Sequence, residues 1–260
     1  MTGNWRDLGT RAASALVLLS IAAGAALAGP IPFSLLIAVI SGLMLWELAG
    51  MHSPRSSIGQ IGFAVIGGAL VVAPFFLRGT HGLADPLTPM AALAVLGTLG
   101  VSRDKVFFAL YAFAILITGS LLSGLYFRAP ELVGFLLVVV ILTDVAGYFA
   151  GKSIGGAKFW PAISPKKTWA GIIAGWCAAA LLAAILVAFG ITGPLTILVA
   201  ACMSFASQLG DIAESALKRR AGVKDSSNLI PGHGGFLDRF DGVVGASPVL
   251  LIALLTLLTF

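Results

Sequence analysis

Nine stretches of apolar residues, each closed by a short polar break, divide the chain at 11–28, 32–51, 58–77, 87–100, 106–126, 131–151, 168–190, 195–215 and 243–259. A run of about 20 apolar residues, wound as an α-helix, matches the thickness of bilayer hydrocarbon. The pattern predicts an all-α polytopic transmembrane bundle of about nine spans, with 87–100 the weakest because it is short. Composition agrees: 58% of the 260 residues are hydrophobic and the mean hydropathy is +1.02, beyond an ordinary soluble domain. The polar stretches are too short to leave a soluble domain over, so residues 1–260 are expected to form a single integral membrane domain.

Charge placement sets the expected orientation. With the N-terminus cytoplasmic, the inner segments hold Arg6, Arg11, Arg55, Arg103, Lys105, Lys152, Lys158, Lys166, Lys167, Lys218, Arg219, Arg220, Lys224 and Arg239, while the outer loops hold only Arg78 and Arg128. Fourteen against two is a strong positive-inside bias, and removing one span would scramble it. The first segment, with Arg6 and Arg11 before an apolar run ending Ala26-Leu27-Ala28, has some look of a signal peptide. Its run is longer than a usual signal core and a second span follows at once, so it is expected to be retained. Cys177 and Cys202 fall in apolar spans without metal-like spacing and read as small buried thiols rather than a disulfide.

Carboxylates inside spans are costly and usually functional. Glu47, Asp144, Asp211 and Glu214 all fall in the cytoplasmic halves of their expected helices, whereas a transporter favours the midplane. Asp211, Glu214 and Lys218 share one helix face by their i, i+3, i+7 spacing, and Asp238 and Asp241 are also three apart. Two carboxylate pairs beside Lys and Arg suit Mg²⁺ and a polyphosphate. The bland alternative is snorkelling charge or a helix-start aspartate, and Glu47 reads better as such an interfacial charge than as a functional group.

The polar side chains concentrate in two stretches. Residues 215–241, SALKRRAGVKDSSNLIPGHGGFLDRFD, hold five basic residues, three aspartates and a histidine, in a chain with 10% charged residues. Upstream, 143–171 reads TDVAGYFAGKSIGGAKFWPAISPKKTWAG. Within it AGYFAGKS, 146–153, imitates a phosphate loop, but an apolar helix rather than a strand runs into it. That fold is rejected, and the glycines at 147, 151 and 155 are expected to mark close helix packing.

Together these stretches resemble the phosphatidate cytidylyltransferase (CDP-diacylglycerol synthase) family. The resemblance is carried by Ser215, Lys218, Arg219, Lys224, Asp225, Pro231, His233, Gly234, Gly235, Asp238, Arg239 and Asp241. Upstream it rests on Asp144, Gly147, Tyr148, Gly151, Lys152, Ser164, Pro165, Lys167 and Thr168. It covers about 140–245 well, and within 1–130 only the hydrophobicity matches, which leaves 131–260 as the catalytic spans and loops. One departure is Ala170, where many family members carry Glu; Glu214 or Asp144 is expected to substitute.

What the resemblance implies is a nucleotidyltransferase of phospholipid biosynthesis, joining CTP and phosphatidic acid to give CDP-diacylglycerol and pyrophosphate. The lipid phosphate is already largely dianionic near neutral pH, so no Ser–His pair is needed, and none stands out. Asp211 and Asp238 are expected to hold Mg²⁺, with Mn²⁺ as a substitute, a second cation in reach, and Asp241 and Asp144 in support. Lys218, Arg219, Lys166 and Lys167 are expected to hold triphosphate and headgroup. Ser164, Lys152, Lys224, Asp225, His233, Gly234, Gly235 and Arg239 complete the substrate site: Asp225 for loop or ribose, His233 as a hydrogen-bond donor to phosphate. The expected setting is the lipid bilayer of the bacterial inner membrane with the site on the cytoplasmic side, no nucleic-acid partner, and glycine spacings that permit a homodimer. A CTP-dependent lipid kinase and a non-enzymatic transporter are the alternatives. A CDP-alcohol phosphatidyltransferase lacks support because its Asp-Gly-x-x-Ala-Arg signature is absent.

Overall fold

Backbone N–H and C=O groups in hydrocarbon must be satisfied within the segment, so the apolar runs can only be helices. The computed structural model describes residues 5–52, 57–76, 87–101 and 104–257. Arg55, Arg78 and Arg103, with the side chains of Arg6 and Arg11, lie outside the described residues. Each of the nine expected segments falls on one helix: α1 Trp5–Ala28, α2 Pro30–His52, α3 Ser57–Phe76, α4 Leu87–Gly97, α5 Lys105–Arg128, α6 Pro130–Ser153, α7 Trp169–Ala188, α8 Leu195–Ala221 and α9 Leu237–Leu257. Six of them (α2 and α5 to α9) are long and apolar enough to cross a membrane. The apolar stretches in α1, α3 and α4 are shorter, and α4 is continued only by a 3₁₀ turn, Thr98–Gly100.

Sequence chemistry fixes the ends of these helices. Proline opens α2 and α6 at the first helical position, where no backbone donor is missed. Thr168 caps α7, its hydroxyl accepting from Gly171 N at 3.2 Å. Gly190, at φ +69°, closes α7: Ile191 N donates to Leu186 O and Gly190 N to Val187 O, both at 2.9 Å.

The all-α expectation misses one small element. Between α6 and α7 lies an antiparallel hairpin, β1 Lys158–Trp160 and β2 Ser164–Thr168, with Lys158 opposite Thr168 and Trp160 opposite Ser164. Gly155 (φ +66°) and Gly156 (φ +91°) turn the chain out of α6, and Phe159 packs edge-on against Trp169, ring centroids 4.7 Å apart.

The chain forms two compact units. The first contains Met1–Pro130 and Arg220–Arg239. Here α2 approaches α3 closely, because a Cβ at Gly42 would stand 2.9 Å from Ala64 O and one at Gly68 2.8 Å from Ala38 O. Phe33 stacks on Tyr126 at 3.9 Å, and the Tyr126 hydroxyl donates to Ala26 O at 2.8 Å, joining α1, α2 and α5. Arg220 pairs with Asp104 at 2.6 Å and lies over the Phe107 ring.

The second unit contains Glu131–Arg219 and Phe240–Phe260. Thr143 of α6 donates to Ser204 of α8 at 2.8 Å, and Trp176 of α7 donates to Gln208 of α8 at 3.0 Å. The segment that imitates a phosphate loop, 146–153, is continuous helix. Gly147 and Gly151 pack against α7 as expected: a Cβ at Gly171 would sit 2.6 Å from Gly147 O. Gly155 does not share that role, since it lies beyond the helix in the left-handed region. Cys177 and Cys202 are free but exposed, not buried, because their positions fall on the outward faces of α7 and α8.

Candidate active site

In the second unit, a carboxylate cluster grows from helix contacts that only glycine allows. A Cβ at Gly210 of α8 would collide with Asp241 O and stand 2.9 Å from Gly245 Cα; one at Gly245 of α9 would collide with Ala206 O. The two backbones are therefore in direct contact. Asp211, next to Gly210, is carried against Asp241, and Asp211, Glu214 and Asp241 each offer an oxygen within 4.8 Å of the others. Glu214 is fully buried, and the Lys218 ammonium meets it at 2.5 Å one helical turn along. The expected shared face of Asp211, Glu214 and Lys218 is therefore present.

Beside this cluster opens a cavity of about 390 Å³, lined in part by Asp144, Tyr148, Lys152, Lys166, Lys167 and Asp211. Lys167 extends from β2, and its ammonium lies 2.6 Å from Asp211 Oδ2 while donating to Gln208 O at 3.2 Å. Asp211 Oδ1 accepts from Ser215 at 3.3 Å. Lys152 lies over the Tyr148 ring, 5.6 Å from its centroid. Lys166 is exposed, and Ser164, at the start of β2, pairs with Trp160 away from the named lining. Arg219 is exposed near the end of α8.

The first unit holds the loop between α8 and α9. Asp238 Oδ2 accepts three hydrogen bonds from it: Ser226 N at 2.9 Å, Ser226 Oγ at 2.8 Å and Gly235 N at 2.8 Å. Ile230 and Gly234 form an isolated bridge around Pro231, Gly232 and His233. Gly234 has φ +79°, and a Cβ there would sit 2.6 Å from Asp238 Oδ2. Arg239 Nε donates to His233 O at 3.0 Å, while Lys224 and Asp225 are exposed.

Three sets of contacts escaped the sequence reading. His233 Nδ1 is hydrogen-bonded to Ser14 Oγ at 2.8 Å, a Ser–His contact between residues 219 apart. Gln208 links Lys167 to Trp176 and Ile172. Glu47 is no snorkelling charge: it is 1% exposed and accepts from Ser226, Ser227, Phe236 and Leu237. An isolated carboxylate in an otherwise apolar span was the available signal, and only the fold supplies its partners.

Residues 9–257 match the model of the cytidylyltransferase family. The phosphatidate cytidylyltransferase of Brucella suis biovar 1 (strain 1330) is 48% identical over 122 residues, 45% of this chain and 44% of that protein, so the match spans less than half the length of that relative. The phosphatidate cytidylyltransferase of Bacillus subtilis (strain 168) is 35% identical over 245 residues, 87% of this chain and 90% of its own. The one of Pseudomonas aeruginosa (strain PAO1) is 34% identical over 255 residues, 92% of this chain and 94% of its own. With nearly its whole length matched to the family model, the chain belongs to the cytidylyltransferase family.

Proposed function

We propose that the chain is a phosphatidate cytidylyltransferase, converting CTP and phosphatidic acid to CDP-diacylglycerol and pyrophosphate. The observation that carries this reading is the carboxylate cluster of Asp211, Glu214 and Asp241 beside a cavity lined by Lys152, Lys166 and Lys167, in a chain whose long-matching relatives bear that name. The donor set fits a divalent cation. Carboxylate oxygens are the ligands Mg²⁺ takes, and the Lys167 ammonium already stands as a cation against Asp211. When bound, Mg²⁺ supplies charge neutralisation at the phosphate oxygens and alignment for in-line attack. Mn²⁺ or a second cation would use the same carboxylates.

The chain's own residues do the rest. Lys152, Lys166 and Lys167 hold the triphosphate and lipid headgroup against their mutual repulsion, with Arg219, near the end of α8, as a further cation. Lys218 holds Glu214 within the cluster. Asp144 lines the cavity and serves where Ala170 replaces the family's Glu. Asp238, expected as a metal ligand, bonds to and orders the loop that carries Lys224, Asp225, His233, Gly234, Gly235 and Arg239, the residues assigned to substrate on this reading. A non-bridging oxygen of the lipid phosphate, already deprotonated, forms the new bond to the α-phosphorus. The bond from that phosphorus to the α–β bridging oxygen breaks, and pyrophosphate leaves with the electron pair. The Lys and Arg distribution supports nine crossings with the N-terminus inside, and with them a site on the cytoplasmic side of the inner membrane, where CTP is.

The test uses purified protein with phosphatidic acid, Mg²⁺ and CTP labelled separately at the α- and γ-phosphates. The expected result is α label in the lipid and γ label in pyrophosphate, lost by about 100-fold or more in Asp211→Asn. Label from the γ position in the lipid would make the protein a kinase and overturn the reading, as would undiminished transfer by the folded variant for the role of Asp211.

A further inference from the structure

Glu47 lies in α2, within the N-terminal spans, yet all four of its described hydrogen bonds come from the loop between α8 and α9. Oε1 accepts from Ser227 Oγ at 2.6 Å and Phe236 N at 2.9 Å; Oε2 accepts from Ser226 Oγ at 3.2 Å and Leu237 N at 2.7 Å. Leu237 is the first residue of α9, so the carboxylate occupies two orphan backbone donors at that helix start. Those two N–H groups are consequently closed to a phosphate.

The same carboxylate explains Gly235. Its φ is not in the left-handed region, so its requirement is steric: a Cβ there would collide with Glu47 Oε1 and Ser226 Oγ. Gly234 meets a conformational demand and Gly235 a spatial one set from another helix. Ser226 couples Glu47 to the second anchor, because its hydroxyl has one proton and lies 2.8 Å from Asp238 and 3.2 Å from Glu47. The loop 226–237 is thus clamped at both ends by two carboxylates sharing one serine.

We infer that Glu47 is a positioning residue of the reaction: it sets the shape in which the His233–Arg239 segment meets the nucleotide. The inference rests on the cytidylyltransferase reading. A carboxylate buried among apolar helices is expensive unless fully bonded, and here all the described bonding is directed to the loop. Gln at this position keeps one acceptor oxygen and turns an NH₂ group toward two N–H or O–H donors, so at least one backbone donor of 236–237 loses its partner.

The experiment compares Glu47→Gln with the unsubstituted chain in lipid–detergent micelles, by amide hydrogen exchange and by steady-state transfer per folded molecule. Exchange at Phe236 and Leu237 should accelerate by about five- to tenfold. The KM for CTP should rise more than kcat falls, with kcat/KM down by about 10- to 100-fold. A variant that is merely less stable would lose folded fraction but keep both constants in the molecules that remain. Unchanged loop exchange and unchanged kcat/KM in the folded variant overturn the inference while the function stands. Absence of any α-phosphate transfer by the unsubstituted chain overturns the function and the inference with it. Should Glu47→Gln fail to fold, Ser227→Ala decides: it removes one hydroxyl donor, and a raised KM for CTP is expected, whereas wild-type exchange and KM count against the role of Glu47.

Discussion

Gly245→Ala tests whether the α8–α9 contact builds the carboxylate cluster. The added methyl carbon would stand 2.9 Å from Gly210 Cα and Gly210 N, and closer still to Ala206 O, where ordinary contact begins at 3.4 Å. All three neighbours are backbone, so no side chain can swing aside. The helices must part by about half an ångström or more, and overpacking of this kind costs about 1–3 kcal/mol. Replacing a helical glycine by alanine returns up to about 1 kcal/mol through propensity. The bundle should therefore survive with a modest loss of stability. The proposed cation site should not, because metal–ligand distances are held to about 0.2 Å. The assay is Mn²⁺ binding followed by electron paramagnetic resonance, alongside turnover, with Gly134→Ala as control because a Cβ there meets nothing within 4 Å. The expected result is Mn²⁺ affinity lowered about tenfold or more and turnover lowered by as much as about 100-fold, with a normal control. Wild-type affinity and turnover in a folded Gly245→Ala protein would show that the close contact does not set the cluster.

Two further outcomes follow from the same geometry. Lys167→Met should weaken CTP turnover yet tighten Mn²⁺ binding in the absence of nucleotide, since the ammonium no longer competes for Asp211 Oδ2; weaker Mn²⁺ binding in calorimetry would contradict this. Thr168→Ala removes the α7 cap and should lower stability by about 1 kcal/mol, read as a reduced thermal midpoint.

The helices were legible because hydrocarbon permits so few backbone solutions: every apolar run became one. Asp211, Glu214 and Lys218 were legible because a 3.6-residue period fixes their shared face. The hairpin at 158–168 was not, since its strands are three and five residues long and carry no clean alternation. Glu47 was misjudged because its partners are about 180 to 190 residues away. A buried ion and a snorkelling one look identical in sequence until the fold says what faces them. The contact between Ser14 and His233 was missed for the same reason.

The cavity in the second unit has walls of two mechanical kinds. One wall is interlocked main chain, Gly147 against Gly171, where a shift of a fraction of an ångström toward the neighbour meets carbonyl oxygen. Its lysine-bearing rim is a hairpin hung from α6 by Gly155 and Gly156, around which even an added methyl would find open space. In the proposed reaction, accommodation of a nucleotide, a headgroup and the departing pyrophosphate in turn therefore falls to the rim. On that reading the carboxylates are a fixed anvil, and Lys167 yields to a substrate only by releasing Asp211.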